Sequence, residues 1–304
     1  MKKTLGFLAA LLLCAAAASA GQRVTFVPPL VANPYWDVVE RGARLAAKEY
    51  NVELDYVGPT QLDINEMMKY LEAAIAQRVD GIATMALNEA ALAPIINQAV
   101  GAGIPVILVD TDAPKSRRTA YAGTDNVTAG KVLGENLARI KNGKAKIGMM
   151  TGALDQPSLN QRMEGFRQAI ASYPDMVEVA LEGDNSDLQI CIQKGEAMLR
   201  AYPEIDALAG FEGFGVPGLS RVVKEAGKVG QITVVGFDDL ADTFAFIRDG
   251  TAIGTTVQRQ FMMGYLGVEL AVKAANGEKL NSIYDTGVLF IDKSNIDTFD
   301  PEAK

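Results

Sequence analysis

Histidine is absent from the 304-residue sequence. That absence alone excludes Ser-His-Asp and Cys-His nucleophilic triads, histidine-ligated zinc, HExxH helices and imidazole general bases. Cysteine is almost as scarce, with Cys14 and Cys191 only, and tryptophan occurs once, as Trp36. Basic residues do not prevail either: 29 Lys and Arg stand against 37 Asp and Glu, a formal charge of −8. An acidic chain lacks the basic patch that phosphate backbones demand, which argues against nucleic acid as a partner. It argues equally against docking on anionic lipid. The chemistry left to this protein is that of carboxylates, amides, guanidinium groups, aromatic faces and backbone.

Beyond the N-terminus, no long uncharged apolar run occurs. At the N-terminus, Lys2 and Lys3 precede an apolar run of 13 residues, Leu5–Ala17, and Ala18-Ser19-Ala20 leads into Gly21. This is the layout of a secretory signal cleaved after residue 20, too short for a membrane span. A lipoprotein signal would need a small residue before Cys14, where Leu13 stands. Cleavage removes two lysines and no acid, moving the formal charge from −8 to −10. It also leaves Cys191 alone, so no intrachain disulfide can form, and its apolar helical context predicts a buried structural thiol. The segment predicts export from the cytoplasm.

The remaining sequence alternates β-rich runs with helical-period segments. Strands are predicted at 24–27, 52–57, 81–85, 106–109, 146–150, 177–181, 207–211, 233–237 and 253–257. Helices are predicted at 35–50, 64–77, 90–101, 127–140, 160–173, 188–201, 219–226 and 261–275. The strand runs are continuously apolar, as in Val106-Ile-Leu-Val109, which suits strands buried on both faces of a parallel sheet. Alternating βα over this length predicts an open, doubly wound α/β fold occurring twice. Ligands of such sheets bind outside the strands' carboxyl ends. Those ends are Pro28–Trp36, Leu87–Glu89, Asp110–Asp112, Thr151–Ser158, Phe211–Gly215, Asp238-Asp239 and Gln258, a set rich in carboxylates, amides and aromatics.

Four stretches together carry a family resemblance: Asn33-Pro-Tyr-Trp36; Ile104–Asp110 followed by Gly123-Thr-Asp-Asn126; Arg162-Met-Glu-Gly-Phe166; and Val234-Val-Gly-Phe-Asp238 leading to Asp249-Gly250. The sequence resembles the periplasmic sugar-binding proteins of ABC transporters, of the ribose- and galactose-binding type. The resemblance spans the chain after residue 20 and implies two α/β lobes joined by a three-stranded hinge. One lobe would comprise residues 21–124 plus 259–286, the other residues 125–258 plus 287–304, with the ligand between them. Tyr35 and Trp36 match the aromatic pair that packs on a sugar ring, and Asn33 a neighbouring amide. Asp110, Arg162, Asp238 and Gln258 match groups that hydrogen-bond sugar hydroxyls. Asp112 and Asn160 are added as candidates, as is Glu212, which stands where relatives usually carry Asn. A hydroxyl both donates and accepts, so carboxylates and guanidinium suit it, while aromatic faces suit its C–H surface. The resemblance also implies an ABC permease as partner, allows a chemoreceptor, makes a monomer the default and calls for no cofactor, metal or catalysis.

Other readings compete. Thr111 stands where ribose binders carry Arg, and Pro29 replaces a polar residue. The turn Val57–Thr60 and the pair Asp110/Asp112 are shared with rhamnose-like and autoinducer-2-like binders. An amino sugar or other small polyol is a further alternative in so acidic a site. Gly213-Phe-Gly215-Val-Pro-Gly218 is a literal GxGxxG with Asp238 20 residues beyond, the spacing of a dinucleotide fingerprint. Paired carboxylates such as Asp110 and Asp238 would also suffice for a glycosidase. A repressor sharing the two-lobed core needs a helix-turn-helix ahead of the first strand, and only Gly21–Arg23 are expected there after cleavage.

Overall fold

A computed structural model describes residues 21–31 and 33–303, so the expected signal segment lies outside the described residues. The first sheet is built from β1 (Arg23–Val27), β2 (Glu53–Tyr56), β3 (Gly81–Thr84), β4 (Val106–Val109), β5 (Ala120–Gly123) and, late in the chain, β11 (Ile283–Asp285). Its order is β11-β5-β4-β3-β1-β2, with every pairing parallel. The second sheet contains β6 (Lys144–Thr151), β7 (Asp175–Gly183), β8 (Ala207–Gly210), β9 (Thr233–Phe237), β10 (Gly254–Gln258) and β12 (Val288–Asp292). Its order, β12-β10-β9-β8-β6-β7, repeats the first, except that the edge strand β12 runs antiparallel to β10. Both sheets start from the edge pair of their first two strands and then wind the other way. This places a switch point between β1 and β3 and another between β6 and β8, where a crevice opens at the strands' carboxyl ends.

The two-lobed, doubly wound fold expected from the alternating pattern is therefore present. Helices α1 (Pro34–Tyr50) and α9 (Gln260–Ala275) cover one face of the first sheet, with α2 (Ile64–Gln77) and α3 (Glu89–Gly101) on the other. In the second lobe α4 (Asn126–Ile140) and α5 (Pro157–Ile170) pack together on one face. Helices α6 (Leu188–Ala201), α7 (Gly215–Glu225) and α8 (Ala241–Asp249) pack on the opposite face. The chain passes between the sheets three times: from β5 to α4, from β10 to α9, and from β11 to β12.

Three strands and one helix go beyond the sequence reading. Strand β5 (Ala-Tyr-Ala-Gly) has little intrinsic strand preference, and β11 is a three-residue edge; tertiary pairing creates both. Strand β12 and helix α8 complete the second lobe. Cys191 is buried and free, as its helical context predicted.

Each lobe is cinched by one close helix crossing. A Cβ on Gly165 of α5 would strike the carbonyl of Val127 on α4, and one on Gly130 of α4 would strike that of Arg162 on α5. Gly42 of α1 and Gly264 of α9 reproduce this reciprocal contact in the first lobe, against Phe261 and Val39. Only glycine lets the backbones approach so closely. In the second lobe that approach brings Arg162 within reach of Asn126.

Candidate functional site

The carboxyl ends of both sheets face one cleft, with a cavity of about 310 Å³ bounded by residues of both lobes. Asp110 follows β4 and Asp238 follows β9, the equivalent strands of the two sheets. Both adopt left-handed backbone, with φ of 60° and 66°. Aspartate tolerates this conformation better than most side chains, yet it remains a local strain of the kind found at binding sites. Neighbours hold both turns in place. Asp110 donates its N–H to Ala122 O and accepts from Tyr121 Oη at 2.7 Å, while Asp238 donates to Thr256 O and accepts from Thr255 Oγ1 at 2.9 Å. A pair of equivalent strand ends thus delivers two carboxylates to one cleft.

The first lobe adds the aromatic wall. Asn33 caps α1, its Oδ1 accepting Tyr35 N–H at 3.0 Å, and Pro34 occupies the first helical position. The helix therefore starts with Tyr35 and Trp36 at the cleft, their rings edge-to-face with centroids 5.4 Å apart. Trp36 is 7% exposed, and its carbonyl accepts Tyr56 Oη at 3.1 Å. Tyr35 Oη reaches Asp110 Oδ1 at 3.4 Å. Burial, reinforced by the charge of Asp110, holds the Tyr35 phenol well above its ordinary range.

From the second lobe, Arg162 is 5% exposed. Its Nε donates to Asn126 Oδ1 at 2.9 Å and its Nη1 to Phe211 O at 3.1 Å, and its guanidinium lies 4.4 Å from the Phe237 ring centre. A planar fork used in this way has its orientation fixed before any ligand arrives. Glu164, two positions on, accepts from Gln168. Burial raises the Asp110 carboxyl to about 6, against the opposing pull of Arg162. Gln258 donates to Asp238 Oδ1 at 2.9 Å and accepts from Thr124 Oγ1 at 3.1 Å, tying a site carboxylate to two of the chain passages between the sheets.

Of the ten expected site residues, Tyr35, Trp36, Asp110, Arg162, Glu212, Asp238 and Gln258 line this cavity together. Three are placed differently. Asn33 spends its side chain on the helix cap. Asp112 forms a two-pronged ion pair with Arg118 and lines a neighbouring cavity of about 840 Å³ instead. Asn160 is exposed and turned to the Leu154 carbonyl at 3.1 Å. The cavity also includes residues that the sequence reading did not select: Met85, Leu87, Gln156, Ser158, Leu159 and Ser186. Several lie on the strand-end loops already picked out, but Ser186 follows the edge strand β7, where Asn185 and Ser186 both take positive φ.

A cleft between two doubly wound lobes, walled by aromatic rings and two equivalent aspartates, defines a class: a two-lobed binder of a small polar solute. The sequence profile of the periplasmic binding protein domain matches residues 24–279, and the chain belongs to that family. It is 27% identical over 266 residues to a D-ribose/D-allose-binding protein of Pseudomonas aeruginosa, covering 84% of this chain and 83% of that protein. Among solved structures, a glucose-galactose binding protein from Geobacillus stearothermophilus superposes with a TM-score of 0.85 and 35% identity, covering 90% of this chain and 98% of the other. An ABC transporter solute-binding protein from Burkholderia graminis, in complex with D-arabinose, gives 0.86 and 31%, covering 92% and 98%. The role of the family is solute binding.

Proposed function

We propose that the chain is an exported protein that captures one neutral monosaccharide between its lobes and passes it to an ABC permease. The observation that carries this reading is the pair Asp110 and Asp238, delivered by equivalent strand ends to one cleft opposite the Tyr35–Trp36 wall. Carboxylates accept from sugar hydroxyls, the free face of the Arg162 fork donates to sugar oxygens, and the indole face covers ring C–H groups. The lobes are taken as residues 21–124 plus 259–286 and 125–258 plus 287–304. The ligand-contacting set is Tyr35, Trp36, Asp110, Arg162, Glu212, Asp238 and Gln258. Closure about the three chain passages is driven by contacts that only the closed form completes. The closed pair of lobe surfaces is what a permease or a chemoreceptor would read. Residues 1–20 act as the export signal to the periplasm, where the protein works as a monomer.

The site binds without transforming its ligand. The GxGxxG stretch supports this reading: Glu212 Oε1 takes the Phe214 N–H at 2.9 Å, so a carboxyl sits where a dinucleotide would place its pyrophosphate. Equilibrium dialysis against a panel of pentoses, hexoses and their glycosides, with the retained sugar analysed by mass spectrometry, tests the proposal. Retention of an unchanged monosaccharide at one per chain is expected. Release of reducing sugar from a glycoside, or retention of NAD in place of any sugar, would overturn it.

A further inference from the structure

Among the cleft carboxylates, Glu212 has distinctive surroundings. It is 8% exposed, and its carboxyl neighbours that of Asp184, which is fully buried. Asp184 lies between β7 and α6, in a loop that turns the Ser186 N–H back onto Asp184 Oδ1 at 2.9 Å. Its other oxygen, Oδ2, is buried without a donor among the surrounding amides, hydroxyls and ammonium groups. Ionised carboxylates only accept, so a hydrogen bond between two of them requires a proton. Two negative charges in contact inside a protein do not both persist, and one member keeps its proton.

The donors reveal which one. Asp184 receives the Ser186 N–H, and it lies against the Cys191 thiol, which burial keeps protonated. Glu212 receives only the Phe214 N–H at the start of α7. Placing the proton on Glu212 and directing it at Asp184 satisfies the orphaned oxygen. The remaining charged neighbours reinforce this arrangement. Asp238, beyond β9, adds its negative charge to the field at Glu212. Arg162 of α5 is bonded to the Phe211 carbonyl and Asn126, and Lys194 of α6 to the Gly183 carbonyl and Glu182. No ion pair to either carboxyl occurs among the described residues.

We infer that Asp184 and Glu212 form a carboxyl pair holding a single proton, which makes Glu212 an uncharged wall of the cleft, and that loss of this proton weakens ligand binding at alkaline pH. The ligand half rests on the sugar-binding reading, whereas the shared proton does not. Loss of the proton would place a new charge facing Asp238 and break the bond that orders Glu212 against the Ser186 loop, which also lines the cavity.

The two halves are tested separately. Infrared spectra of the ligand-free protein at neutral pH should show the carbonyl stretch of a protonated carboxyl, absent from both Glu212→Gln and Asp184→Asn. Two variants guard against misfolding of either one. Affinity for the neutral sugar retained on dialysis is then measured from neutral to alkaline pH. Neutral-sugar affinity should fall by up to about tenfold per pH unit once the pair titrates, and this decline should be absent in Glu212→Gln. A missing carboxyl band, or an alkaline decline that persists in Glu212→Gln, would overturn the inference. If the band is present and no sugar binds at any pH, the shared proton stands and the sugar reading falls.

Discussion

Replacing Arg162 by methionine keeps much of its length and apolar bulk while removing its charge and its fork. Two hydrogen bonds from a charged donor disappear, leaving Asn126 Oδ1 and the Phe211 carbonyl without Arg162, and the contact over Phe237 is lost. Hydrogen bonds to charged groups contribute about 1.5–3 kcal/mol each, and unpairing a buried charge costs about 3–5 kcal/mol. Asp110 limits the damage by taking up a proton, so a net loss of about 3–5 kcal/mol is expected at neutral pH. For a chain of this size that corresponds to a fall in Tm on the order of 10 °C. The pH dependence is the sharper signature. In the native fold Asp110 titrates at about 6, above its ordinary 3.8, so the folded state holds more protons than the unfolded state between those values. The stability contributed by this group therefore falls as pH rises through that window. Without Arg162 the window extends upward, so the destabilisation measured by urea unfolding should be larger at pH 7 than at pH 5. Arg162→Lys should be intermediate, because an ammonium keeps the charge and loses the fork. A methionine variant within about 0.5 kcal/mol of wild type at pH 7, or one destabilised equally at both pH values, would refute the reasoning.

Three further outcomes follow from the same geometry. Ligand affinity should decline as pH falls below about 6, by up to tenfold per unit, because a protonated Asp110 accepts less well from a hydroxyl; Asp110→Asn should abolish that acid limb in a fluorescence titration. Gly165→Ala should cost about 1–3 kcal/mol in urea unfolding by forcing α5 off the Val127 carbonyl, and sugar binding should weaken because Arg162 rides on the same helix. At Asp238, whose φ is 66°, Gly should be more stable than Ala by about 1 kcal/mol. Both Asp238 substitutions should lose ligand, and equal stability of the two would deny the strain.

Much of the fold was legible because parallel strands buried on both faces announce themselves as short apolar runs, as at 106–109 and 233–237. The helical period likewise placed α1 at 35–50, one residue inside its observed start at Pro34. What escaped the sequence reading was made by tertiary pairing: β5 is a strand only because β4 and β11 flank it. For the candidate site, strand-end residues were legible in the sequence, since Asp110 and Asp238 terminate apolar runs and both line the cavity. Asp112 lines the neighbouring cavity instead, which the sequence cannot show because Arg118, six positions on, folds back to pair with it. Asn160 looked available, yet Leu159 and Arg162 share one face of α5, and Asn160 is rotated about 100° from Leu159, off that face. Asp184 and Ser186 went unnoticed because β7 is an edge strand, and only the left-handed turn at Asn185-Ser186 brings its loop to the cleft.

Trp36 is the sole tryptophan and lines the cavity between the lobes, so its fluorescence reports directly on the central claim. A titration of the wild type and of Asp238→Ala with neutral pentoses and hexoses should give a saturable change for at least one sugar in the wild type. That change should be weakened at least about a hundredfold in the variant, the scale of an unpaired buried polar group. No response to any monosaccharide, or an equal response from both proteins, would contradict a sugar site built from Trp36 and Asp238.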